Sequence, residues 1–206
     1  MTQDPSPQGR LGDLQARLAV CRQCSVAGYF IGSTPIFSAA SGAIFMTVGQ
    51  APGRREAQIT HLPFSGPAGK RLFRWLASAG FDEAEFRATQ AMTAITKCYP
   101  GPHPAGRGDR VPSRREQDLC APWLAEELTI INPRVLILIG GLAIGCFLGT
   151  KRPMTDLIGG HFDRDGRILV PLPHPSGASQ WFNQSENKER LAQALAFLAT
   201  LRESLM

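Results

Sequence analysis

Four cysteines carry the first chemical signal. Cys21 and Cys24 form a C-x2-C pair, Cys98 follows far downstream, and Cys120 lies beyond a loop rich in proline, glycine and arginine. Thiolates are metal ligands, and a set drawn from three separated segments suits an iron–sulfur cluster or zinc, though it is unlike a compact zinc ribbon. Free cysteine is also a common core residue, so spacing alone leaves ordinary buried thiols open. Cys146 falls within an apolar stretch and is expected to be such a thiol.

Two further stretches have the residue types of a binding site. Gly49-Gln50-Ala51-Pro52-Gly53 directly follows an apolar run, and a glycine turn there lets backbone amides approach a ligand. No lysine-serine or lysine-threonine follows in the phosphate-loop pattern. Phe64 stands in the loop Pro63–Gly69, where it would either stack on a ring or join the core. His174 lies between Pro173 and Pro175, so its backbone has little freedom and its ring is aimed. Beyond it, Ser176, Gly177 and Ser179 offer hydroxyls and amides that suit a phosphate.

These residues need a frame, and the apolar pattern supplies one. Ala43–Val48, Gln90–Thr96, Val135–Ile139 and Ile168–Val170 read as strands, the first and third as runs buried on both faces. Helices are expected from Leu11 to Leu18, over Gly66–Ala79, from Ser113 to about Ile131, over Leu142–Leu148 and from Asn183 to about Leu205. Ser113 with Glu116 three residues on makes a capping box, and Asn132-Pro133 stops that helix. Strands alternating with helices predict one α/β domain over residues 1–206, a three-layer αβα sandwich around a mostly parallel four-stranded sheet.

Composition narrows the partner. The net charge is +5 and the pI about 9.2, which favours a polyanion, and Arg107, Arg110, Arg114 and Arg115 crowd one loop and the helix after it. The first residues lack a basic run followed by an apolar core, and no apolar run is long enough to span a bilayer. A cytoplasmic protein without a membrane partner is expected, where five cysteines argue against a disulfide framework.

In their order and spacing these pieces resemble the iron–sulfur branch of the uracil-DNA glycosylase superfamily, nearest to families four and five. The resemblance runs from Cys21 to about Leu198 and rests on the four cysteines, Gly49–Gly53, Pro63-Phe64, Thr96-Lys97-Cys98 and His174-Pro175-Ser176. It implies a 4Fe–4S cluster on Cys21, Cys24, Cys98 and Cys120, and excision of uracil or another deaminated base from DNA by a monomer. His174 and Gln50 would then be catalytic, and Gly49, Ala51, Phe64 and Ala94 would line the base pocket with His174. Arg107, Arg110, Pro175, Ser176, Gly177 and Ser179 would hold DNA.

The chain departs from the family-four pattern at two places. Gln50 stands where glutamate is usual, and an amide orients water without carrying charge. Ala94 stands where asparagine reads the edge of uracil, and alanine cannot read it. Glu56 and His61 are nearby in sequence as alternative water-positioning groups, though both are expected at the surface. His103 lies in the loop where a related branch crosslinks to DNA, but the basic-basic-aliphatic-histidine pattern is missing and that activity is not carried over. Two readings stand beside the glycosylase: a lesion-binding protein that keeps fold and cluster without turnover, and a zinc-stabilised α/β protein.

Overall fold

A computed structural model describes residues 6–106, 108–176 and 180–206. Four strands form its parallel centre: β2 (Phe45–Gly49), β3 (Ala91–Ala94), β4 (Val135–Ile139) and β6 (Arg167–Leu172). All are expected from sequence. The sheet nevertheless has six strands, in the order β1-β3-β2-β4-β6-β5, which corrects the four-stranded expectation. Short antiparallel strands, β1 (Ser38–Ala39) and β5 (Phe162–Arg164), close the two edges. Neither is long and apolar enough to announce itself. The β5–β6 hairpin turns at Asp165-Gly166, both with positive φ (51° and 72°), the geometry that favours Asp-Gly.

Alternation along the central strands divides the core into two layers. Phe45, Val135, Ile137 and Leu172 face α3 (Pro67–Ser78), α4 (Glu83–Thr89) and α8 (Ser185–Leu205). Met46, Val48, Leu136 and Leu138 face the other way, onto α1 (Pro7–Ala19), α5 (Arg114–Ile131) and α6 (Gly141–Leu148). The result is the expected αβα sandwich. Two four-residue helices, α2 (Gln23–Val26) and α7 (Met154–Leu157), and a π-helical turn over Glu56–Thr60 lie in the connections. Helix α4 escapes the apolar pattern because its seven residues bury only Phe86.

Helix α5 begins as expected. The Ser113 hydroxyl accepts from the Glu116 amide and the Glu116 carboxylate accepts from the Ser113 amide, a complete capping box; Asn132 ends the helix in the left-handed region. Cys146 is exposed, not buried. The buried face of α6 carries Ala143 and Ile144, and two further residues turn the chain roughly 200° away from Ile144. No helix among the described residues is long and apolar enough to cross a membrane.

Candidate active site

The carboxyl ends of the parallel strands gather the residues expected to do chemistry. Register sets Gly49 beside Ala94, and Ile139 beside Leu172. The Gly140 amide donates to the Leu172 carbonyl at 2.9 Å, and β6 then runs directly into Pro173-His174. Connections leave β2 and β4 in opposite directions along the sheet, so the crevice above their ends is the topological switch point where ligands of open α/β sheets bind.

Phe64 enters this crevice from the loop before α3. Its backbone has φ of 50°, a left-handed conformation that costs a non-glycine residue on the order of 1 kcal/mol or more. Two features enforce it. Arg87 on α4 donates to the Pro63 carbonyl at 2.9 Å and the Phe64 carbonyl at 2.8 Å, and lies over the Phe73 ring. Gly69 is the other: a Cβ there would fall 1.7 Å from the Phe64 carbonyl oxygen. The tip of the Phe64 ring reaches the end of β2, where a Cβ on Gly49 would stand 2.8 Å from Cζ. Sequence reasoning missed Arg87: besides Glu83 one turn earlier, the partners that bear on Phe64 are backbone carbonyls, which leave no mark in sequence.

The His174 ring has an exposed edge and a walled back. Gly140, with φ of 84°, lies so close behind it that a Cβ would be 3.2 Å from His174 Cβ and Cδ2. The Ser176 amide donates to Nδ1 at 3.2 Å. A nitrogen that accepts carries no proton, so in the neutral ring the proton sits on Nε2. Desolvation by the surrounding protein holds the histidine below its usual pKa, while the Asp109 charge pulls it back up. His174 is therefore neutral at pH 7, with an N–H donor on Nε2. Arg71 of α3 steadies the following loop by donating to the Ser176 carbonyl at 3.0 Å, another contact that sequence reasoning missed. Pro175 is buried here, and Gly177 and Ser179 lie outside the described residues.

Gln50 and Ala51 sit half-buried just past the end of β2, and the Gln50 carbonyl accepts from the Thr96 amide. Ala94 is buried at the end of β3. His61 is exposed, as expected, but Glu56 is only 7% exposed and does not stand at the surface. Its Oε1 accepts from the amides of Ser65 at 3.1 Å and Gly66 at 2.8 Å, tying the π-helical turn to the Phe64 loop. That oxygen is occupied by structure, and Oε2 of the same buried carboxylate lies beside Gly53.

On the neighbouring connections Cys21, Cys24, Cys98 and Cys120 line one cavity, with Leu18, Pro100 and Trp123 among its apolar walls. Helix α1 delivers Cys21, α2 carries Cys24, the segment after β3 delivers Cys98, and α5 presents Cys120. Burial first, and then the charge of the other thiolates, pushes the Cys24 thiol up to about 11 and the Cys98 thiol up to about 12. Cys120 is raised as well, chiefly by burial, against the pull of Lys97. A cationic centre in the cavity would compensate such thiolates. Among the described residues no group of three or more His, Cys, Asp or Glu is arranged to hold a metal ion. The donor set fits an iron–sulfur centre: four sulfurs around one cavity, and a backbone amide, that of Lys97, donating to Cys120 Sγ at 3.3 Å.

Lys97 itself is 1% exposed, a lysine the sequence reading noticed only as part of a motif. Its Nζ donates to Glu127 Oε2 at 2.9 Å, Thr93 Oγ1 at 2.7 Å and the Ala94 carbonyl at 2.7 Å. All three donors are used, which is what allows a buried ammonium to persist.

The basic loop is organised differently from expectation. Arg110 makes a two-pronged pair with Glu116, both contacts at 2.6 Å, and so braces the start of α5. Burial works to raise the Glu116 pKa, but Arg110 and Ser113 outweigh it and hold the carboxyl below the usual range. Arg107 lies outside the described residues.

Comparison with known proteins bears on the family. The family model for the uracil DNA glycosylase superfamily matches residues 30–199. The chain is 32% identical to the Type-4 uracil-DNA glycosylase of Thermotoga maritima over 131 residues, covering 63% of this chain and 62% of that protein. It is 31% identical to the protein of the same name from Archaeoglobus fulgidus over 133 residues, 65% and 61% of the two chains. With that of Pyrobaculum aerophilum it shares 34% over 95 residues, 46% and 43%. The chain thus spans about three-fifths of the length of the first two relatives. With the family model covering well over half of its length, the chain belongs to the uracil-DNA glycosylase superfamily.

Proposed function

We propose that this protein is a monofunctional DNA glycosylase that takes uracil, or a related deaminated base, out of the DNA stack and hydrolyses its N-glycosidic bond. The observation that carries the reading is the convergence of Phe64 and an oriented, neutral His174 on the crevice at the ends of β2, β3 and β4. A base leaving the helix loses its stacking, and an aromatic ring in the pocket restores part of it. As the bond to the sugar breaks, negative charge develops on the base oxygens. The Nε2–H of His174 is a donor for that charge, and a neutral donor is matched to a weakly basic oxygen. Gly49 leaves room for the Phe64 ring, Ala51 and Gln50 bring backbone amides to the rim, and Ala94 forms the floor.

Cys21, Cys24, Cys98 and Cys120 would hold a 4Fe–4S cluster. When bound, the cluster supplies a covalent staple that fixes the loop between Cys98 and Cys120 against the base site. Pro175 and Ser176, with Arg107, Gly177 and Ser179, are the proposed DNA contacts after His174 and in the basic loop. Arg110 serves better as a brace than as a phosphate ligand. The protein would act as a monomer on cytoplasmic DNA.

The test uses cluster-loaded protein with single- and double-stranded oligonucleotides carrying one uracil, hypoxanthine or xanthine. Release of the free base, leaving an alkali-labile site, supports the reading; release from none of them sinks it. Gln50 and Ala94 favour a second reading, since neither supplies the charge or the edge recognition of a uracil pocket. Tight binding of lesion DNA without base release would identify a lesion-binding protein instead.

A further inference from the structure

We propose that Asp109, on the loop between the third and fourth cysteines, is a catalytic carboxylate of the base site and supplies the charge that Gln50 lacks. The inference rests on the glycosylase reading above.

The position of Asp109 is built, not incidental. The residues on either side of position 107 pair as a small hairpin: Pro102 bridges Asp109, the His103 amide donates to the Gly108 carbonyl at 2.9 Å, and the Arg110 amide donates to the Gly101 carbonyl at 3.0 Å. This hairpin carries Asp109 back over the Gly49–Gly53 turn, where its Oδ2 lies 3.3 Å from the place a Cβ on Gly53 would occupy. Buried Tyr99 interacts with the same carboxylate through its phenol, and the Asp109 charge acts on His174. Asp109 therefore borders the first glycine turn, and its charge is felt at His174. The side chain remains exposed, as a group that meets substrate must be. Glu56, the other carboxylate at Gly53, is buried and gives one oxygen, Oε1, to two backbone amides, whereas Asp109 is exposed.

The chemistry needs an anion at this point. When the C1′–N bond breaks, its electron pair leaves with the base, whose charge His174 receives as a hydrogen bond, and the sugar becomes cationic. Asp109 faces that cation and accepts a proton from the water whose oxygen bonds to C1′. The base takes up a proton from solvent, and Asp109 returns its own to solvent. The net change is addition of one water across the glycosidic bond.

Asp109→Asn separates this role from a structural one, because the amide oxygen still accepts from Tyr99 while the charge is gone. In single-turnover excision from a uracil oligonucleotide at saturating protein, D109N is expected to be about 100-fold slower or more. Its DNA affinity by fluorescence anisotropy should be equal or tighter, since a negative charge near phosphates has been removed. Adding Gln50→Glu to D109N should restore at least tenfold of the loss. Visible absorption and the melting temperature establish that D109N is folded and loaded; an unfolded D109N hands the test to Asp109→Glu, which should keep wild-type excision within about tenfold. Excision by D109N at the wild-type rate overturns the inference and leaves the glycosylase reading intact. No excision by the wild type overturns both.

Discussion

The proposed base site and the thiol cavity lie side by side and are held by opposite means. The base site is fixed by backbone: a left-handed Phe64, glycines at positions 49, 69 and 140 where a Cβ would collide, and main-chain donors and acceptors on His174, Arg71 and Arg87. It needs no ligand to keep its shape. The thiol cavity is assembled from three separated segments whose functional groups oppose one another, Cys24 and Cys98 being raised by burial and then by their neighbours' charge. The proposed cluster would compensate that opposition. Lys97 joins the two, with its amide on Cys120 Sγ and its ammonium on the Ala94 carbonyl.

Breaking the cavity should have the larger effect. Iron chelation under reducing conditions, or Cys98→Ser, is expected to abolish visible absorption and expose the segment between Cys98 and Cys120 to protease, while far-UV circular dichroism of the sheet and long helices survives. Loss of all secondary structure would show that the contrast between the two regions is wrong. At the junction, Lys97→Met leaves Glu127, which is 0% exposed, without its cation. That should cost about 3–5 kcal/mol in urea unfolding of the loaded protein. The double variant Lys97→Met with Glu127→Leu should regain most of it, because an apolar pair needs no compensation.

The same contrast explains what was legible in the sequence. β2 and β4 are apolar runs whose burial on both faces is their whole signal, and Ser113 with Glu116 announces the start of α5. The cysteines stand out by type, as does His174 between prolines. Two-residue β1 has no periodicity to read. Asp165-Gly166 did offer a hairpin signal, but half-exposed, polar β5 on one side of it hid the strand. Glu56 was unreadable for another reason: its partners are the amides of Ser65 and Gly66, and any residue type supplies an amide. Arg110 looked like one more cation of a basic loop until the fold turned it toward Glu116.

Within the base site, His174→Ala removes the only donor whose direction Ser176 sets, and a loss of about 100- to 1,000-fold in single-turnover excision is expected. Gly140→Ala probes the wall rather than the donor. A methyl group 3.2 Å from the imidazole, at a φ that disfavours alanine, has to displace the ring, and a shift near 1 Å costs about 100-fold. The variant should retain its cluster spectrum, which separates damage at the base site from damage at the cavity.

The smallest effect sharpens the boundary between the two regions. Arg110→Ala removes a cation from a basic loop, and a phosphate ligand lost in this way would reduce the slope of log affinity against log salt by about 0.9. Arg110 is instead paired with Glu116, whose side chain is 2% exposed, so the variant should leave that slope unchanged within error. Its cost should appear in stability, about 1–3 kcal/mol, as a buried carboxylate loses its strongest partner while keeping the Ser113 amide and hydroxyl. The pH dependence gives the sign. Arg110 and Ser113 hold the Glu116 pKa below its unfolded value, so this contribution is present above the unfolded pKa and is lost as pH falls through the lower folded one. The stability gap between wild type and Arg110→Ala should therefore be full at pH 7 and close on acidification below the ordinary carboxylate range. A gap that stays constant with pH, together with a reduced salt slope, would return Arg110 to the DNA-binding face.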